Sequence, residues 1–241
     1  MRIPDLSFFT PKRSQSLISL ASAALSPRQA NEVLDPIEET KSIFTVRSMD
    51  WSDPNMPISL WASPRNSDRT GAGESDEGNP HTWKSNYKSL VVCNYGKSAT
   101  DGINEKGLVA NLLFLLEAKY EHDKESKKKE RLPITALAQY VLDNYETVEE
   151  AVNGLKDEPF FIVTSDLAVA KLDRTNNNFK VGLTKIVLHM SLSDSKGDSA
   201  VLQYVKGDEP GTCKLLIYHV PQDEKAKGKG VHPTFYFAMR E

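Results

Sequence analysis

Cysteine is scarce in this chain: Cys93 and Cys213 are the two among 241 residues, and they carry no CxxC spacing. That pattern excludes a zinc ribbon or a redox dithiol as the organising feature. Two core thiols are the expectation, and nothing in their spacing supports a disulfide. An excess of charge is missing as well. Thirty Lys and Arg stand against 33 Asp and Glu, a net charge of −3, so there is no basic footprint for nucleic acid. No apolar run approaches the length of a bilayer span. Gly71-Ala72-Gly73 lacks the preceding strand and following helix that a phosphate-binding loop needs. No internal repeat is present.

What remains is an ordinary globular composition, 26% charged and 39% hydrophobic. The length is enough to bury a sizeable core, as one larger domain or two small ones. At the N-terminus Lys12 and Arg13 precede Leu17-Ile18-Ser19-Leu20-Ala21-Ser22-Ala23-Ala24-Leu25. Basic residues, a short apolar core and small residues follow one another as in a secretory signal; an amphipathic terminal helix is the alternative. Residues 1–30 are therefore expected to be a leader or signal-like segment, and residues 31–241 a single domain. A working signal implies a periplasmic or secreted protein, its absence a cytoplasmic one.

Ser42-Ile43-Phe44-Thr45-Val46 reads as a strand from its β-branched and aromatic content, and Trp51-Ser52-Asp53-Pro54-Asn55 breaks it. Arg47 and Asp50 stand three positions apart, so the strand must end or turn near Ser48-Met49 if they share a site. Ile58 to Ala62 is a second short run, and residues 63–82 read as a loop. Tyr87 to Tyr95 and Leu108 to Leu116 read as strands, the latter buried on both faces. Asp101-Gly102 and Lys106-Gly107 read as turns. Lys124 to Arg131 is a solvated charge run.

Pro133 opens the clearest helix, with Ile134, Leu137, Ala138, Val141, Leu142 and Tyr145 on one face. Thr147-Val148-Glu149-Glu150 has the form of a capping box for a second helix. Phe160 to Thr164, Val181 to Ser191, Ser199 to Val205, Cys213 to Val220 and a stub from Thr234 to Met239 complete a strand-rich second half. Many strands and a central helical pair imply an α+β layered fold.

Taken in order, four stretches resemble the choloylglycine hydrolase and penicillin V acylase family of linear-amide hydrolases. They are Arg47-Ser48-Met49-Asp50-Trp51, Asp101 through Leu108, Ala138 through Asn144, and Ser191 through Ala200; Leu60-Trp61 with Pro64-Arg65 also fits. The resemblance implies an αββα four-layer sandwich of the N-terminal-nucleophile type, incomplete here at its C-terminus. It also implies a small amphipathic amide as substrate or ligand, of the bile-salt, penicillin V or N-acyl amide kind. No cofactor or metal is implied, and a homo-oligomer is compatible with it.

In that family processing exposes a cysteine whose own α-amino group, with a pKa of roughly 7.7–8.0, serves as base. A nearby arginine favours the thiolate and an aspartate orients the amine and thiol. Arg47 and Asp50 match those two positions by resemblance; read without it, they are an ordinary ion pair at a strand end. The nucleophile position falls at Asn31, and an asparagine carboxamide is not a useful nucleophile. Val231 stands where relatives carry an oxyanion-stabilising Asn, a donor whose loss costs on the order of a hundredfold or more in rate. Trp51, Trp61 and Phe114 are expected to line the apolar end of the pocket, or else to be core aromatics. Three readings follow: a hydrolase, a non-catalytic ligand-binding relative, or a truncated gene product with exposed sheet edges. A leader ending at Ala30 gives a mature chain that begins at Asn31. Intact-mass spectrometry of the purified protein reads this directly, and a mass retaining residues 1–30 removes the leader.

Overall fold

The computed structural model describes residues 32–37, 42–48, 56–71, 79–96, 98–120, 129–164, 166–173 and 178–220. Strands β1 (Glu32–Ile37) and β2 (Ser42–Val46) form an antiparallel pair. Then come β3 (Ile58–Ser63), the short hairpin of β4 (Asp68–Thr70) and β5 (Thr82–Lys84), β6 (Ser89–Asn94), β7 (Ser98–Asn104) and β8 (Val109–Phe114). Strand β9 (Arg131–Pro133) runs directly into α1 (Ile134–Asn144), which α2 (Val148–Leu155) follows. The second half comprises β10 (Phe161–Val163), β11 (Asp166–Asp173), β12 (Asn178–Lys185), β13 (Leu188–Ser193), β14 (Ser199–Lys206) and β15 (Cys213–Val220). Seven strands make the central sheet, in the order β15-β14-β13-β8-β7-β6-β3, with every neighbour antiparallel.

Helix α1 buries Ile134, Leu137, Ala138, Val141 and Leu142, the apolar stripe of a helix lying on a sheet. Beneath it the sheet offers Ala110, Leu112, Met190, Leu192, Ala200 and Leu202, each at most 2% exposed. Full burial of each leucine, isoleucine, valine or methionine among them stabilises by about 1.5–3 kcal/mol, so this interface is the principal core. Helix α2 adds Val148, Ala151 and Leu155. Thr147 caps it by accepting from the Glu150 amide at 3.2 Å, while the Glu150 carboxylate turns to the Glu146 amide instead of completing the reciprocal box. Among the described residues no helix is long and apolar enough to cross a membrane.

Three expectations give way. Asp101-Gly102 is no turn but the middle of β7, and its glycine has a packing reason. A Cβ there would lie 2.7 Å from Leu142 Cδ1 and 2.9 Å from the Leu90 carbonyl, so only glycine lets α1 approach. Residues 63–82 are not all loop: β4 and β5 are tied down from a distance, since Arg69 Nε and Trp83 Nε1 donate to the buried Asp143 carboxylate at 3.2 and 2.9 Å. The run from Val181 to Ser191 divides at residues 186–187, with β12 pairing to β11 and β13 joining the central sheet. The N-terminal leader and the stub from Thr234 to Met239 lie outside the described residues.

Two side chains fasten the helices to the ends of the sheet. Asn104, 2% exposed, donates from Nδ2 to the Leu142 and Tyr145 carbonyls at 2.9 and 2.8 Å, satisfying the last turn of α1. Its Oδ1 accepts from the Lys106 and Leu108 amides at 3.0 and 3.1 Å, closing the β7–β8 turn. Asp194 does the same for α2, accepting from the Val148 amide through Oδ2 and from the Lys196 and Asp198 amides through Oδ1. An unsatisfied buried polar group costs about 1–3 kcal/mol. Asn104→Ala releases four backbone partners, two of them on the buried Leu108 and Leu142, so a loss of about 2 kcal/mol or more in chemical denaturation is expected, against at most about 1 kcal/mol for Lys106→Ala at its exposed ion pair with Glu146.

Candidate active site

Strand alternation divides the central sheet into two faces. Val91, Gly102, Ala110, Leu192 and Ala200 occupy one cross-strand row beneath the helices. The adjacent row on the opposite face reads Leu60, Val92, Asp101, Asn111, Ser191, Val201 and Tyr218. Strand β2 approaches this second face, because its Thr45 hydroxyl hydrogen-bonds the Ser193 hydroxyl and Arg47 just beyond it reaches Asp101. The layers therefore stack as helices, sheet and β2 strand pair, with a polar seam between the last two.

Arg47 and Asp101 make a two-pronged ion pair across that seam. Arg47 Nε donates to Oδ1 at 2.5 Å and Nη2 to Oδ2. The side chains are only 11% and 18% exposed. The planar guanidinium matches a carboxylate in this fork geometry. A bulge in β7 prepares the carboxylate: Asp101 pairs with Val92 and Ala99 with Cys93, which leaves Thr100 as the extra residue. Its Oγ1 donates to Asp101 Oδ2 at 2.9 Å. The pair is thus held from both sides, and breaking a buried pair by removing one partner costs about 3–5 kcal/mol.

Around the pair the inner face is unusually polar for a covered sheet. Asn111, His189, Ser191, Ser193 and Ser199 are all buried, at 5%, 2%, 7%, 1% and 4% exposure. His189 shares its register position with Leu113, two residues along β8 from Asn111. Burial pushes the His189 imidazole down to about 4, so it is neutral near neutral pH.

Of the residues expected at the site, Arg47 is on the seam, and its partner there is Asp101, in mid-strand and not in a turn. Asp50, Trp51, Asn31 and Val231 lie outside the described residues. By register Trp61 and Phe114 fall on the other face of the sheet from Asp101. Trp61 pairs with Val91 on the helix-side row and is 54% exposed at the sheet edge, with Nε1 donating to Ser59 Oγ at 2.7 Å. Phe114 pairs with Leu188 two residues beyond Leu112, again on the helix-side face. Asp101, Asn111, Ser191 and His189 were missed. The available signal was a polar residue at alternate positions inside an otherwise apolar strand.

The His189 shift carries a sign. Its folded pKa lies below the ordinary histidine value of 6.5, so its stabilising share is complete above that value and lost as pH falls towards 4. The full loss is about 3 kcal/mol at one pKa unit per 1.36 kcal/mol. Melting temperatures of the protein should fall between pH 6.5 and 4.5 more steeply than those of His189→Gln; parallel profiles would refute the shift.

Comparison with known proteins fits this geometry. The family described as linear amide C–N hydrolases, choloylglycine hydrolase family, matches residues 37–220. Penicillin V acylase of Pectobacterium atrosepticum is 41% identical over 192 residues, which are 77% of this chain and 45% of that protein. The structure of penicillin V acylase from Agrobacterium tumefaciens superposes with a TM-score of 0.60 at 36% identity, over 82% of this chain and 50% of that one. A variant of conjugated bile acid hydrolase from Clostridium perfringens shares the fold, with a TM-score of 0.54 at 22% identity over 79% of this chain and 50% of that one. The chain spans about half the length of these relatives. On the match from residue 37 to residue 220, this chain belongs to the choloylglycine hydrolase family of linear amide C–N hydrolases, with the α+β sandwich of its N-terminal-nucleophile relatives.

Proposed function

We propose that the chain binds a small N-acyl amide of the penicillin V type at the seam between β2 and the central sheet, without the thiol chemistry of its family. The observation that carries this reading is the Arg47–Asp101 pair. It keeps a cation fixed and largely out of water, at a residue that by resemblance corresponds to the family's arginine. A charge so held needs no reorganisation to meet a carbonyl or carboxylate oxygen, and a hydrogen bond to a charged group is worth about 1.5–3 kcal/mol. Asp50 and Trp51 join it in this reading as the amine-side carboxylate and an apolar wall.

Asn31 at the nucleophile position supports binding without turnover. Cys93 offers no replacement. It lies within β6 between Ser59 and Ala99, so it cannot present an α-amino group beside its thiol, and burial pushes that thiol up, away from thiolate. Val231 in place of an oxyanion donor points the same way.

Calorimetric titration of the full chain with penicillin V should show saturable binding. Arg47→Ala should weaken it by about 10–100-fold, the equivalent of one charge-assisted bond. Arg47→Lys, which keeps the charge but loses the fork, should fall between. Primary amine released from penicillin V should stay at background. Release above background that disappears in Arg47→Ala would establish a hydrolase and overturn the inactive reading, and no binding at all would overturn the binding reading.

A further inference from the structure

Asn111 has a side chain that the fold itself does not use. It is 5% exposed, and its Nδ2 is buried without a hydrogen-bond partner. Most buried polar groups in folded proteins are paired, so an orphan amide calls for a reason. Its place in the sheet supplies one. Asn111 is the cross-strand partner of Asp101 on one side and of Ser191 on the other, all three on the face turned towards β2. Directly opposed residues in an antiparallel pair have Cβ atoms about 4.5–5.5 Å apart. The orphan amide is therefore next to the carboxylate that clamps Arg47.

Asp101 does not take it: its Oδ1 faces Arg47 Nε and its Oδ2 takes both Arg47 Nη2 and Thr100 Oγ1, and Asn111 Nδ2 bonds to neither oxygen. The neighbours along β8 are Val109 and Leu113, which offer no side-chain acceptor. Leucine or valine at this position would pack without leaving a polar group unpaired, and the helix-side row does use such residues. An amide here costs stability in the unliganded protein.

We infer that Asn111 is a ligand-positioning residue of the seam: its Nδ2 donates to the acyl carbonyl oxygen of a bound amide, beside the Arg47 cation. This inference rests on the amide-binding reading above and deepens it by naming the donor that orients the ligand's carbonyl. A carboxamide suits a neutral carbonyl because it supplies a donor without a second charge beside Arg47.

Asn111→Leu, close in volume and lacking the amide, separates the two costs. With penicillin V as probe and the full chain, the leucine variant should melt at the wild-type temperature or above it, and should bind at least tenfold more weakly. Asn111→Asp, which replaces the donor by an acceptor of the same shape, should lose affinity at least as far. Wild-type binding together with an undiminished Asn111→Leu overturns the assignment of Asn111 alone. A leucine variant that fails to fold also overturns it, since the protein would then be using the amide for itself. A wild type that binds no penicillin V overturns the amide-binding reading, and this inference with it.

Discussion

A guanidinium taken out of water must meet its counter-charge inside the fold, and for Arg47 that counter-charge is Asp101. Much else follows from this requirement. The carboxylate has to stand in the middle of β7 and on the face away from the helices, and the β7 bulge at Thr100 adds a hydroxyl to hold it. Strand β2 must then lie across the sheet with Thr45 against Ser193 and Arg47 against Asp101. A pair this deep in the fold contributes more to arrangement than to net stability, because two desolvated ions recover little more than they lose. Its effect is to fix where β2 crosses the sheet.

The run from Asp101 to Leu108 serves two layers at once through alternation. Asp101 faces β2; Gly102 lets α1 lie close; Asn104 caps that helix and ties the following turn. Asp143 belongs to the same scheme from the helix side. Its carboxylate gathers Arg69, Trp83 and Gln139, while its backbone carbonyl takes the amides of Asn86 and Tyr87. Burial raises this carboxyl and the three donors oppose the rise. Several residues that carry the family resemblance, Gly102, Asn104, Asp143 and Asp194 among them, therefore serve to fasten helix to sheet or turn. Within this run Asp101 and, two positions on, Ile103 take the face turned to the seam, and Asp101 is the one that bonds across it.

The layering was legible in the sequence because it rests on periodicity. Helix α1 declared itself by the spacing of Leu137, Ala138, Val141 and Leu142, and β2 and β15 kept the limits their composition suggested. What escaped depends on contacts between distant segments. The β4–β5 hairpin is held by Asp143, more than fifty residues away, so its local sequence reads only as loop. Gly102 resembles a turn glycine until Leu142 is seen above it. At the site, Arg47 was found through resemblance to relatives, but its partner was not, since nothing local links it to Asp101. Trp61 and Phe114 were grouped with it as aromatics near the motifs. Residue type cannot say which face of a strand a side chain takes, and the register sends both to the helix side.

The double grip of Asp194 has a consequence for how the molecule opens. One carboxylate holds the first amide of α2 and two amides of the β13–β14 turn, forty-six residues further along the chain. Neither element can fray at that end without releasing the other. The start of α2 and the tip of the hairpin should therefore exchange their amide hydrogens as a single cooperative unit, with matched protection, although one is helix and the other turn.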